Sequence, residues 1–295
     1  MRVRPFRPDD AAALVKLSAS CARGEKDFVL NPLWEAEVEL FAEFERNGIA
    51  PEEHLLVADT EDGRVAGLAG FLRRPAAVAA GLYAPIVDRR ERGHGLGGEL
   101  LRAALDHGRE KLGVKLVTAA IGARNHAGYA LLAGTGFRPV RQHFLLRLDE
   151  RPAGPPPTLA GLSFQAAGPE DAPGVLELYE ACGFEARSLD AMRAILADPH
   201  HATAIAFQAD RVVGFAELET HWPRRVWVAF VGVRNELRDR GLGTALLDWA
   251  LARRFEAGAE VALLLLSPAN RTALRAYEKA GFRRHRVVDV LERGL

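Results

Sequence analysis

The stretch RDRGLGTALL runs from Arg238 to Leu247, and a near copy, RGHGLGGELL, runs from Arg92 to Leu101. Both are basic, glycine-rich turns that lead into a segment of helical character. The second follows RVWVAFVGV (225–233), whose branched and aromatic residues read as a strand. Residues 241–256 then repeat with helical period, placing Leu242, Leu246 and Trp249 on one side. The first turn of such a helix has backbone N–H groups without intrahelical partners, aimed along the positive end of the dipole. That is an anion site. Gly241 and Gly243 let a ligand approach the backbone, and Arg238 and Arg240 add positive charge at the same place. The first copy offers Arg92, His94, Gly95 and Gly97. The reading is a diphosphate cradle, present twice.

The duplication extends beyond the turns. PDDAAALVKLSASC (8–21) matches PEDAPGVLELYEAC (169–182) without a gap, and DGRVAGLAGF (62–71) parallels ADRVVGFAEL (209–218). Downstream of the turns, ARNHAGYALLAGTGFR (123–138) parallels ANRTALRAYEKAGFRR (269–284). The first copy carries an insertion around FVLNPLWEAEVELFAEFERNG (28–48), and a proline-rich stretch separates the copies. The expected organisation is a first domain at 1–150, a linker at 151–160 and a second domain at 161–295. In the second copy, strands are expected at 162–166, 203–208, 211–219, 225–233, 260–267 and 285–293. Helices are expected at 170–182 and 241–256, with a third capped by Asn270 and ended by Gly281.

Composition narrows the function. A chain of 295 residues suits two domains. Lys+Arg and Asp+Glu are equal at 39 each, which argues against a sequence-independent grip on nucleic acid. Two cysteines, Cys21 and Cys182, are too few for a disulfide framework. The N-terminus has no apolar signal core, and the longest aliphatic run, VALLLL at 261–266, is too short to span a bilayer. No membrane partner and a cytoplasmic home are expected.

Three phosphate cradles compete for the glycine turn. A nucleotide P-loop needs Lys-Ser or Lys-Thr after its last glycine, and neither copy has it. A dinucleotide G-x-G-x-x-G occurs at Gly93, Gly95 and Gly98, but DRRER intervenes after Val87, and the second copy has Asp239 and Thr244 at the matching positions. The third cradle is the pyrophosphate loop of acyl-coenzyme A enzymes. Here the sequence resembles the GNAT superfamily of N-acetyltransferases, through R-x-x-G-x-G after a strand. One strand later comes N-x-x-A-x-x-x-Y-x-x-x-G-F, intact at Asn270, Ala273, Tyr277, Gly281 and Phe282.

The resemblance implies a tandem α/β protein. Each domain would have a mixed central sheet flanked by helices and splayed open after its fourth strand, with acetyl-CoA in the split. It implies that a backbone N–H near Val231 to Val233, with Val87 at the matching place in the first copy, holds the thioester carbonyl. Tyr277 would protonate the departing thiolate, and Asn270 and Asn125 would be coenzyme contacts as well as helix caps. The first copy keeps Asn125, Gly136 and Phe137, but Gly128 replaces the alanine and Leu132 the tyrosine, with Tyr129 three residues earlier. Leucine donates no proton, so the C-terminal half is expected to catalyse. The implied reaction moves an acetyl or short acyl group from acyl-CoA to a primary amine, on a small molecule or a peptide, by direct transfer.

For the general base, Phe215, Glu217, Glu219 and His221 alternate onto one strand face. Glu219 is the first choice and His221 the second, with a water chain as the alternative. A non-catalytic acyl-CoA sensor and a mycothiol-synthase-like acetyltransferase are the rival functions. Cys21 and Cys182 read as small buried helix residues. His200 and His201 read as part of a solvated loop, and no metal is expected.

Overall fold

The computed structural model describes residues 2–73, 77–150, 159–185 and 187–295. Most of the expected linker, residues 151–158, lies outside them. The first half of the chain runs β1 (Arg2–Pro5), α1 (Ala11–Arg23), α2 (Glu37–Arg46), α3 (Pro51–His54), β2 (Leu55–Asp59), β3 (Val65–Leu72), β4 (Ala79–Val87), α4 (Leu96–Glu110), β5 (Leu116–Gly122), α5 (His126–Gly134) and β6 (Arg138–Leu148). The second half runs β7 (Ser163–Ala166), α6 (Ala172–Ala181), α7 (Leu189–Ala197), β8 (His201–Gln208), β9 (Arg211–Trp222), β10 (Arg225–Val233), α8 (Leu242–Glu256), β11 (Val261–Leu266), α9 (Arg271–Lys279) and β12 (Arg283–Gly294). Strands and helices therefore form where the patterning of the second copy places them.

The contacts divide the chain differently from a cut at residue 150. Unit 1 is Met1–His143 together with Arg286–Leu295, and unit 2 is Phe144–His285. The last strand of each copy completes the sheet of the other. In unit 1 the strand order is β1-β2-β3-β4-β5-β12, with β12 antiparallel to β5 from Val288 opposite Gly122 to Gly294 opposite Leu116. In unit 2 the order is β6-β11-β10-β9-β8-β7, with β6 antiparallel to β11 from Phe144 opposite Leu266 to Leu148 opposite Ala262. The physical reason is that the strand signal is local whereas pairing is not. Any edge with free N–H and C=O groups and a matching apolar face accepts a strand. Leu291 on β12 is fully buried in the core of unit 1, and Leu146 on β6 in that of unit 2.

Each unit packs helices on its sheet. In unit 2, Leu242, Leu246 and Leu251 of α8 join Val213, Ala216 and Val226 in one core. Tyr179 of α6 and Met192 of α7 join Phe215 in another. Inside α8, one carboxylate oxygen of Asp248 is buried without a hydrogen-bond partner among the described residues. Desolvation alone raises this carboxyl to about 6.

Two outcomes follow from this packing. Leu291→Ala should cost about 2–5 kcal/mol in urea unfolding, because it empties a fully buried site in unit 1 although the residue comes from the end of the chain. Asp248 titrates near 6 when folded, against 3.8 for the free side chain, so the folded state binds more protons between those values. Stability should therefore fall as the pH rises from about 4 to about 6. Asp248→Asn should remove that slope and raise stability above pH 6, as read by thermal melts across pH.

Candidate active site

The site in unit 2 begins with a pairing that stops early. β10 and β11 run parallel and pair at Arg225–Val261, Val226–Ala262 and Trp227–Leu263, after which the two strands part. β10 carries register shifts between Arg225 and Trp227 and between Val228 and Phe230. Such bulges bend a strand and increase its twist, steering β10 away from its neighbour. Unit 1 repeats the design, with β4 and β5 paired only from Ala79–Leu116 to Gly81–Thr118 and a shift where Leu68 faces Ile86 and Gly70 faces Tyr83.

The direction of the amides along β10 follows from its end. Arg234 N–H donates to Val213 of β9 at 3.0 Å, while the Val233 carbonyl is turned away and accepts from Arg238 Nε at 3.1 Å. Within a strand, N–H and C=O of one residue share a side, and the side alternates with each residue. The N–H groups of Val233 and Val231 therefore face the split. In unit 1 the same signs hold, with Asp88 N–H to Ala66 at 2.8 Å and Arg92 Nε to the Val87 carbonyl at 2.9 Å. Val87 thus presents an N–H, but the residue two places earlier is Pro85, which has none. The sequence reading missed this proline. Aligning the strand ends at Val87 and Val233 exposes it.

Both glycine turns take the same backbone path. Gly241 and Gly95 stand at φ +83° and +85° as the N-caps of α8 and α4, and two residues earlier Asp239 and Gly93 stand at +59° and +84°. The first intrahelical bond to the α8 cap is Ala245 N–H to the Gly241 carbonyl at 2.9 Å. This leaves the amides of residues 242–244 for a ligand. The two glycines of the second cradle serve different purposes. A Cβ on Gly241 meets nothing within 4 Å, so its demand is conformational; one on Gly243 meets Val233 Cγ2 at 3.4 Å and Val231 Cγ1 at 4.0 Å, where α8 lies on β10. Arg238 and Arg240, like Arg92 and His94, are exposed. The Arg238 guanidinium also reaches Cys182 Sγ at 3.9 Å.

The second motif forms the helices after β11 and β5. Asn270 caps α9 by accepting from Ala273 N–H at 3.1 Å, and Asn125 caps α5 by accepting from Gly128 N–H at 2.9 Å. Tyr277 is half-buried, packs edge-on against Phe282 at 5.7 Å between ring centroids, and is pushed up to about 12 by desolvation. It is therefore a protonated phenol throughout the physiological range. Leu132, its counterpart, is a core residue 1% exposed, and Tyr129 is half-buried beside the same core.

The Acetyltransferase (GNAT) family model matches residues 21–137 and again residues 172–282. The chain belongs to the GNAT family. A mycothiol acetyltransferase from Thermomonospora curvata is 31% identical over 249 residues, 78% of this chain and 79% of that protein. Two solved structures share the fold. A GCN5-related N-acetyltransferase from Sphaerobacter thermophilus matches with a TM-score of 0.79 at 24% identity, covering 99% of this chain and 95% of that one. A tandem GNAT protein from the clavulanic acid biosynthesis pathway matches with a TM-score of 0.75 at 18% identity, covering 99% and 98%. The chain is a tandem GNAT enzyme that transfers acetyl groups.

On the α6/α7 side of this GNAT unit, the register decides which polar groups lie near the split. Val231 faces Ala216 of β9, and Phe230 faces Glu217. Glu219 is three residues from Ala216 and His221 five, or about 10 Å and about 16 Å along the strand. Glu217 is nearer than either, but it is 3% exposed and bound by Arg187 at 2.8 and 3.3 Å. The Arg187 guanidinium lies over the rings of Tyr179 at 4.4 Å and Phe230 at 5.2 Å. His221 packs against His200, His201 and Trp222. The solvated-loop reading of His201 is corrected: it opens β8 and sits 3.8 Å from Glu217. Arg187 itself had no sequence signal, because only folding brings its loop against β9. Among the described residues no group of three or more His, Cys, Asp or Glu is placed to hold a metal, and no helix is long and apolar enough to cross a membrane.

The two cradle glycines should respond differently to alanine. Gly241→Ala should cost roughly 1–2 kcal/mol in chemical unfolding, from its left-handed backbone. Gly243→Ala should be neutral or slightly stabilising, because its Cβ meets only ordinary contacts within a helix.

Proposed function

We propose that unit 2 transfers the acetyl group of acetyl-CoA to a primary amine by direct attack, and that unit 1 does no chemistry. The observation that carries this is the pairing, in unit 2 alone, of a backbone N–H facing the split at Val231 with a phenol at Tyr277; unit 1 has Pro85 and Leu132 instead. In this reading the α8 amides, with Arg238 and Arg240, hold the diphosphate of the cosubstrate. The Val233 amide holds its extended arm, and Asn270 lies beside that arm. The matching residues of unit 1, Val87, Arg92, His94, Gly95, Gly97 and Asn125, keep the shape of the cradle without the reacting groups.

The chemistry then follows from ordinary acid–base values. An alkylamine with a pKa near ~10 arrives charged and must lose a proton before attacking. Glu217 is almost fully buried, whereas Glu219, half-exposed and about 10 Å along β9, is open to water and accepts the proton through it. His221, farther along and packed among rings, is left out of the chemistry. As the amine attacks, negative charge grows on the thioester oxygen, where the preorganised Val231 N–H stabilises it. The C–S bond then breaks, Tyr277 gives its proton to the departing sulfur, and the second proton shed by the acylated nitrogen passes through water to restore the phenol.

A second reading concerns the acceptor alone. The likeness to mycothiol acetyltransferase over 249 residues favours a thiol-bearing sugar conjugate as the amine acceptor. Loss of the acetyl-CoA thioester, monitored by chromatography with simple alkylamines, amino acids and a cysteinyl amino-sugar conjugate as separate acceptors, distinguishes the two. Tyr277→Phe should lower kcat by about 10²–10⁴ with little change in melting temperature. A kcat within about threefold of the parent at saturating substrate would remove Tyr277 from the mechanism.

A further inference from the structure

The split in unit 1 is not available in the way that of unit 2 is. The insertion after α1 brings Phe28–Leu30 onto β5 as a short antiparallel partner, with Val29 opposite Ile121. Gly122 N–H donates to the Phe28 carbonyl at 3.0 Å, and Leu30 N–H donates to the Ala120 carbonyl at 2.9 Å. The other edge of β5 is taken along its length by β12, and β4 pairs with β5 no further than Gly81–Thr118. Residues 28–30 therefore lie on the edge that β4 leaves open. All three are buried, at 2%, 3% and 7% exposure.

The segment is anchored from several directions. The Phe28 carbonyl also accepts from Asn125 Nδ2 at 3.2 Å. Arg286 lies over the Phe28 ring at 4.5 Å and donates to the Ala22 carbonyl at 3.1 Å, and Ser18 donates to the Pro32 carbonyl at 3.0 Å. One residue before Phe28, the Asp27 carboxylate pairs with Arg92, the arginine of the first cradle, at 3.0 Å and with Arg89 at 3.6 Å. In unit 2, Arg238 meets the sulfur of Cys182 where Arg92 meets a carboxylate. Among the described residues nothing pairs with Leu264–Leu266 on the side of β10.

An anion at the cradle arginine, followed by an extended chain whose backbone amides hydrogen-bond into the split, here from its β5 side rather than its β4 side, is the chemical outline of coenzyme A, a diphosphate joined to an arm with two amides. We infer that Asp27 and Phe28–Leu30 are an internal stand-in for acyl-CoA. Asp27 takes the place of a phosphate and the backbone of residues 28–30 that of the amide-bearing arm, so the chain holds one acyl-CoA, in unit 2. The count of one rests on the reading of unit 2 above; the occupancy of unit 1 does not.

Calorimetry on the full chain with coenzyme A and acetyl-CoA should give one equivalent. Hydrogen exchange at saturating acetyl-CoA should leave the amides of Leu30 and Gly122 unchanged while those of residues 231–244 slow by about tenfold. Two equivalents, or faster exchange at Leu30 and Gly122 on ligand addition, would overturn the stand-in and leave the chemistry of unit 2 intact. Zero equivalents would overturn the count and the reading of unit 2 together. The double variant D27A/L30P removes the carboxylate at Arg92 and the donor to Ala120, and should raise the stoichiometry from one to two; a folded variant that stays at one would also overturn the stand-in. Should that variant fail to fold, exchange in the unaltered chain decides.

Discussion

The structure depends on a parallel strand pairing that ends after a few residues. Parallel strands normally exchange evenly spaced hydrogen bonds along their length. A buried N–H or C=O left without a partner costs about 1–3 kcal/mol. A split sheet therefore persists only where bulges bend one strand away and another group supplies the missing partners. In unit 2 the bulges in β10 bend the strand and leave the Val231 and Val233 amides facing the gap. In unit 1 the same bend occurs, but residues 28–30 of the chain supply the partners to β5.

This common constraint explains how two copies of one fold diverge without changing shape. The cradle is made almost wholly of backbone. Asp239 adopts the left-handed conformation that Gly93 adopts in the first copy, so the loop path survives a change of residue type. The groups that differ are those to which the proposed reaction assigns chemistry. Pro85 removes a donor at the place where Val231 has one, and Leu132 fills the core at the place where Tyr277 brings a phenol. Pro85 lies within β4 and Leu132 within α5, so both elements form with these residues in place. The fold of unit 1 thus persists without the amide and the phenol to which the proposed reaction assigns roles in unit 2.

The α6/α7 face of unit 2 shows how a buried charge is kept. Glu217 is almost completely removed from water and is tolerated because Arg187 meets both of its oxygens, while two aromatic rings cover the guanidinium. Removing one partner of such a pair leaves the other uncompensated, which is costlier than losing the pair. Arg187 therefore ties the α6–α7 connection to β9 next to the split. The nearest carboxylate by register is shut away from water in this way, so the proton path in the proposed reaction runs to the half-exposed Glu219.

Local pattern was enough for much of this. The glycine turns, the strand before each, the Asn270 cap and the periodicity of α8 lie within single stretches of sequence, and each formed as the residues dictate. The exchange of β6 and β12 was not legible, because a strand sequence specifies an alternating face and not the edge it will join. Glu219 and His221 were read from alternation, which assigns a face but gives no position along it. Only the pairing of Val231 with Ala216 shows that Glu217 is closer. The insertion at 28–48 was visible as extra length, yet its place on β5 is a contact across about ninety residues of chain, a distance at which sequence pattern carries no information. The sequence by itself determined two copies of the GNAT fold and that only the second copy carries a tyrosine, Tyr277, where the first has Leu132. Tertiary structure decided which strands complete each sheet, which carboxylate is buried in an ion pair, and that one split is lined by its own chain, because each of these depends on hydrogen bonds and charges between segments far apart in sequence.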